Sequence, residues 1–248
     1  MPDADVAPAG GVTDADGSIR TLVLIPGLMC DGSVFRGLLP VLCSGRPVFV
    51  ADVSRDDSMS SMARRLLDQV TGPLDVVGFS MGGMVAMEML RCARPRIQRL
   101  ALLDTNDSCD SAETRGWRHA TIEAVRGGAL EAVMREELIP RYFAPARARP
   151  ELASACLEMA LAQGPQVFQR QFAALAARRD QHETLRAYDG PALVLRGRDD
   201  PLCDHRTFHR MAAALARSRL VEVEGASHLS LMEAPSAVAD ALIGWLTH

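Results

Sequence analysis

Gly78-Phe79-Ser80-Met81-Gly82 places a serine between two glycines, and this is the point in the chain where nucleophilic chemistry is most plainly legible. A serine hydroxyl is a weak nucleophile at neutral pH. To attack a carbonyl it needs a base for its proton, an acid to orient that base, and N–H donors for the oxyanion. Candidates for the acid and the base follow in the order Asp, His. Pro191-Ala192-Leu193-Val194-Leu195-Arg196-Gly197-Arg198-Asp199-Asp200-Pro201 holds two aspartates after an apolar run. Arg219-Leu220-Val221-Glu222-Val223-Glu224-Gly225-Ala226-Ser227-His228 ends a second run on a histidine. The chemistry these residues offer together is acyl transfer through a serine, with His228 as base.

The elements that must position them are readable from pattern. Leu74-Asp75-Val76-Val77 is strand-like, and Met84-Val85-Ala86-Met87-Glu88-Met89-Leu90 is helix-like, so Ser80 lies at a strand-to-helix turn of the nucleophile-elbow kind. A side chain at position 78 or 82 collides with neighbouring backbone in so sharp a turn. The same turn sets the hydroxyl at a helix N-terminus, where partial positive charge favours a developing anion. Apolar runs predict strands at 21–25, 47–53, 74–79, 99–103, 192–196 and 220–223. Helical spacing predicts helices at 59–70, 83–93 and 237–246 between and after them. That alternation implies a parallel sheet covered on both faces. It breaks off near residue 107, where consecutive helices are predicted at 111–125, 129–137, 148–162 and 165–179, punctuated by Gly127-Gly128, Pro140, Pro145 and Gly164-Pro165.

With these motifs in this order, the chain resembles the α/β-hydrolases, specifically the small, lid-bearing serine esterase type, from about residue 20 to its C-terminus. The resemblance implies an α/β fold: a mostly parallel central sheet, helices on both faces, and an inserted helical lid. Its divisions are a loose N-terminal arm at 1–18, a hydrolase core at 19–106 and 188–248, and the lid at 107–187. The family's Gly-x-x-Asp register selects Asp200 as the acid, with Asp199 as the fallback. Gly225-Ala226-Ser227-His228, followed by Glu233 and Pro235, matches the family's histidine loop. The oxyanion donors implied are the backbone amides of Met81, after the nucleophile, and of Leu28, in Ile25-Pro26-Gly27-Leu28-Met29-Cys30-Asp31. Many relatives have His-Gly where this chain has Pro26-Gly27. The implied pocket wall draws on Met29 and on the lid aromatics Trp117, Tyr142, Phe143, Phe168 and Phe172.

The activity implied is hydrolysis of a small or medium carboxylic ester or thioester through an acyl-enzyme intermediate. Lyase, lactonase or perhydrolase use of the same triad is the alternative, and a ligand-binding receptor on a hydrolase fold is a third reading. No cofactor and no metal are expected. His205 and His209 share a helix face at metal-pair spacing, but no third ligand accompanies them, so a solvated surface is the expectation. His119 and His182 lie in the central helical segment and are further candidates to approach the pocket.

Composition bounds the rest. A chain of 248 residues is one domain, large enough for a substantial core. A formal net charge of −4 argues against a nucleic-acid partner. Cysteines at 30, 43, 92, 109, 156 and 203 have no paired C-x-x-C spacing, so neither a metal knuckle nor a disulfide framework is indicated. Cys30 and Cys203, in loops near the predicted site, are expected to be the accessible thiols. The start Met1-Pro2-Asp3-Ala4-Asp5 lacks the basic opening of a signal peptide, and no apolar run approaches membrane-spanning length, so a cytoplasmic protein with no membrane partner is expected. The oligomeric state is open.

Overall fold

The computed structural model describes residues 20–144 and 149–247. The expected arm at 1–18, Pro145 and the start of the predicted helix at Ala148 lie outside them. Six strands, β1 (Thr21–Ile25), β2 (Val48–Val50), β3 (Leu74–Phe79), β4 (Ile97–Leu103), β5 (Ala192–Gly197) and β6 (Ser218–Val223), form one sheet in the order β2-β1-β3-β4-β5-β6. Every pairing is parallel. Buried on both faces, β1, β3 and β5 consist largely of Val, Leu and Ile, as a covered parallel sheet requires.

Strand β2 is shorter than the expected 47–53. Pro47 has no N–H for the ladder, and beyond Val50 the chain turns as Asp52 Oδ1 accepts the Ser54 N–H at 2.9 Å. Single bonds still extend the edge on either side, Leu22 N–H to the Pro47 carbonyl and Ala51 N–H to that of Leu24.

Helix Met81–Ala93 packs on β3 and β4 with Met59–Gln69 beside it, while Pro235–Thr247 packs on β5 and β6. The elbow helix begins two residues earlier than its apolar pattern predicts. Gly82 and Gly83 are poor helix formers, but they occupy the first turn because tertiary contact outweighs propensity there. The stretch expected as one helix at 129–137 is instead an α turn, a π turn at Val133–Leu138 and a 3₁₀ turn at Ile139–Tyr142. Pro140 cannot donate to an α ladder, which accounts for the break at its C-terminal end. Between β4 and β5 the remaining long helices are Ala112–Arg126, Pro150–Gln163 and Pro165–Ala176, and the first packs along the third.

The reversal of strand order between β1 and β3 has a functional consequence. β1 leads to the edge strand β2, and β3 leads the other way to β4. Loops leaving the C-terminal ends of β1 and β3 therefore diverge, and the crevice between them is where open α/β sheets hold their ligands. Ser80 follows β3 and Leu28 follows β1, one on each side of that crevice.

Candidate active site

Ser80 follows β3 directly and holds φ 51°, ψ −117°. For a residue other than glycine this backbone costs about 1–3 kcal/mol, and it persists only where its surroundings enforce it. Three hydrogen bonds do so: Ser80 N–H to the Leu103 carbonyl at 2.9 Å, and the Ser80 carbonyl to Gly83 N–H at 2.9 Å and to the Thr105 hydroxyl at 2.7 Å. The flanking glycines are sterically required. A Cβ on Gly78 would overlap the Gly82 carbonyl, and one on Gly82 would overlap the backbone at Ile25 and Pro26.

Ser80 Oγ lies 2.9 Å from His228 Nε2, and His228 Nδ1 lies 2.9 Å from Asp200 Oδ2. The other oxygen of Asp200 accepts the N–H groups of Leu202 at 2.8 Å and Cys203 at 3.1 Å. The carboxyl is thereby locked in a turn closed by Asp200 N–H to the Gly197 carbonyl. Asp199 N–H is bonded instead to the Ala226 carbonyl, and it is the carboxyl of Asp200 that faces the ring. The His228 ring packs between Phe79 and Tyr142, each with its centroid 5.7 Å away. Its backbone N–H bonds the Tyr142 carbonyl, and Glu233 accepts the Ser227 N–H at 3.0 Å. Burial pulls the imidazole pKa down, but the charge and hydrogen bond of Asp200, with a contribution from Asp104, outweigh it and leave the pKa above the ordinary histidine value.

Leu28 and Met81 both border the cavity beside Ser80, and neither amide donates a hydrogen bond to another group among the described residues. The loop carrying Leu28 is held from outside. Gln171 accepts the Met29 N–H at 2.8 Å and donates to the Val53 carbonyl at 3.2 Å, and Gln163 donates to the Cys30 carbonyl at 2.7 Å. Both glutamines come from the helices between β4 and β5, so those helices are tied directly to the loop after β1.

Ser80 and His228 line a cavity of about 920 Å³, within the range of small-molecule sites. Trp117, Tyr142 and Phe143 line it as expected from sequence. Met29, Phe168 and Phe172 do not. Phe168 and Phe172 stack on each other at 4.1 Å and are wholly buried, because one helix face satisfies both by packing. Met29, at φ 53°, turns into the core beneath Gln171. Cys30 and Cys203 are buried rather than accessible, their thiols pushed up by burial, and Cys203 donates to the Thr105 carbonyl. The exposed thiols are Cys43, Cys92 and Cys109. His182 pairs with Asp107 and His119 is exposed, and neither reaches the cavity. No cluster of three metal-ligating side chains occurs among the described residues, and His205 and His209 meet each other at 2.9 Å on an exposed face. No helix among them is long and apolar enough to cross a membrane.

Asp104 went unread in the sequence. It directly follows β4, at φ 46°, and is fully buried, and its oxygens accept Gly197 N–H at 2.7 Å and the Ser230 hydroxyl. It therefore ties the strand before Asp200 to the turn after His228. Its place at the C-terminal end of a strand was the available signal. Burial and the nearby charge of Asp200 raise its pKa well above the ordinary carboxyl value. A group whose pKa is raised by folding stabilises the fold while protonated, and this contribution is lost as pH rises from about 3.8 toward its folded pKa. Asp104→Asn keeps the shape without the charge. Thermal unfolding of the two proteins should coincide near pH 4, with the variant the more stable at pH 8, by about 2–4 °C per kcal/mol relieved. A variant less stable than wild type at pH 8 would show that the carboxylate itself is required.

A family model described as the alpha/beta hydrolase family matches residues 22–241. The fold is similar to that of a thermophilic esterase from Thermogutta terrifontis, solved with malate bound, at 28% identity and TM-score 0.85 over 96% of this chain and 91% of that one. It is also similar to the enol-lactonase from Burkholderia xenovorans LB400, at 21% identity and TM-score 0.83 over 95% of this chain and 94% of that one. A lipase, LipV, from Mycobacterium tuberculosis is 32% identical over 114 residues, which span 46% of this chain and 38% of that protein.

Proposed function

Because the chain belongs to the α/β-hydrolase family, we propose that it is a serine hydrolase cleaving a small or medium carboxylic ester or thioester through an acyl-enzyme. The observation that carries this reading is the continuous contact from Asp200 through His228 to Ser80, 2.9 Å at each step, at the wall of a ligand-sized cavity.

In this mechanism Ser80 Oγ attacks the carbonyl carbon while His228 Nε2 takes its proton. Asp200 keeps the proton on Nδ1 and balances the imidazolium that forms. The amides of Leu28 and Met81 receive the oxyanion, supported by the positive end of the helix that starts at Met81. His228 then protonates the departing alkoxide or thiolate. Water, deprotonated by the same ring, attacks the acyl-enzyme, the carboxylic acid leaves and Ser80 regains its proton. The helices between β4 and β5 act as a lid that limits water access and supplies the wall against the substrate.

Treatment with a fluorophosphonate, followed by peptide mass spectrometry, should find the adduct on Ser80. A panel of p-nitrophenyl esters of rising chain length, with lactones and acyl thioesters alongside, should then show a burst of p-nitrophenol equal to one acyl-enzyme per site. An adduct elsewhere, or a reactive Ser80 that turns over no member of the panel, would overturn the assignment.

A further inference from the structure

The wall of the cavity carries more positive charge than this acidic protein would lead one to expect. The chain has no lysine, so its side-chain cations at neutral pH are arginines, and three of them, Arg118, Arg141 and Arg178, line the cavity that contains Ser80. The acidic groups on the same wall are few. Asp104 is buried and held toward its neutral form. Glu113 is exposed at the rim. Only Asp110 is both buried and engaged with the arginines, and it is divided between two of them: Oδ2 to Arg118 Nε at 2.5 Å, Oδ1 to Arg178 Nη1 at 2.7 Å.

The three guanidiniums are not equivalent. Arg178 is committed to the fold, since it also donates to the carbonyls of Ser108 at 2.8 Å and Leu175 at 3.2 Å. Among the described residues Arg118 has only Nε hydrogen-bonded, its guanidinium carbon lying 5.6 Å from the Trp117 ring centroid and 5.1 Å from that of Phe172. Arg141, itself exposed as Glu113 is, lies over the same Trp117 ring at 5.2 Å and has no carboxylate within 4.0 Å among the described residues. A guanidinium stacked on an indole keeps its N–H edge free and pre-aimed, the geometry that takes a carboxylate in two parallel hydrogen bonds. Two arginines thus flank one tryptophan, with half a carboxylate between them. On the wall of a concave site such an excess attracts an anion.

We infer that the substrate carries a second, anionic group, and that its class is the monoesters of dicarboxylic acids, with the free carboxylate held by Arg141 beside Trp117 and Arg118. This inference rests on the serine-hydrolase reading. The bond broken is the ester C–O: water supplies hydroxyl to the acyl carbon and a proton to the alcohol, and the remote carboxylate is unchanged. Apolar wall residues such as Leu138 and Phe143 suit the methylene spacer between the two ends.

The matched probes are mono-p-nitrophenyl glutarate and p-nitrophenyl valerate, equal in chain length and differing in the terminal carboxylate. The glutarate ester should have the higher kcat/KM, by about tenfold or more, as a charge-assisted contact provides. Raising salt should lower that ratio, and Arg141→Gln should lower it about tenfold. A wild-type preference for valerate, or a variant in which both esters fall alike, overturns the inference while leaving the hydrolase reading standing. Binding is read separately by titrating glutarate against tryptophan fluorescence in Ser80→Ala. Saturable quenching that is lost on adding Arg141→Gln supports the anion site even if neither ester is turned over, which would count against the hydrolase reading alone. No quenching, or quenching indifferent to Arg141, refutes the site.

Discussion

Ser80→Ala should lower kcat toward an activated ester by about 10⁶ while leaving the fold and the cavity intact, because in the proposed mechanism it removes the nucleophile of a unit whose members act together. Alanine meets the same backbone demand at φ 51° as serine does, and the bonds that enforce it run from the main chain of residue 80 and survive the change. The variant should therefore be folded, and it should no longer accept a fluorophosphonate. Steady-state kinetics with p-nitrophenyl acetate, corrected for buffer hydrolysis, gives the measurement. Turnover within tenfold of wild type would mean that the ester is cleaved elsewhere on the protein.

Asp200→Asn should cost about 10⁴ in kcat, since an amide opposite Nδ1 no longer selects the ring tautomer that leaves Nε2 free to accept the serine proton. Asp199→Asn, one residue away, should leave kcat near that of the wild type. The pair discriminates because Asp200 Oδ2 faces the ring at 2.9 Å while its other oxygen is fixed by two backbone N–H groups. The pH profile supplies a second readout. His228 accepts a proton only when neutral, so activity is present above its pKa and falls as pH drops through it. Burial alone would lower that pKa, and Asp200 reverses the effect, so the wild-type acid limb of kcat/KM should lie above 6.5. Residual activity in Asp200→Asn should show that limb moved to lower pH. An unmoved limb, or an equal loss in Asp199→Asn, would assign the acid role differently.

Much of the framework was legible in order along the chain. Six apolar runs became the six strands, and Ser80, flanked by Gly78 and Gly82, stood at the turn after the third. Leu28, Met81, Asp200 and His228 all lie at the C-terminal edge of the sheet, where their loops were expected. The accessible-thiol expectation failed because a loop position near a cavity does not determine whether helices cover it, and Cys30 and Cys203 are covered. The aromatics expected to wall the pocket divided for the same reason. Trp117, Tyr142 and Phe143 reach the cavity, and Phe168 and Phe172 pack against neighbouring rings.

What the sequence determined by itself is whatever depends on neighbours along the chain: strand or helix, a turn too tight for a side chain, a histidine at the tip of a loop. These follow from backbone sterics and side-chain periodicity, whose reach is a few residues. Tertiary structure alone decided the partners of Asp104 at Gly197 and Ser230, the grip of Gln171 on Met29 across 142 positions, and the gathering of Arg118 and Arg141 around Trp117. Such contacts depend on how whole helices settle over the sheet, and that is fixed by the summed packing of a core rather than by any residue's own preference.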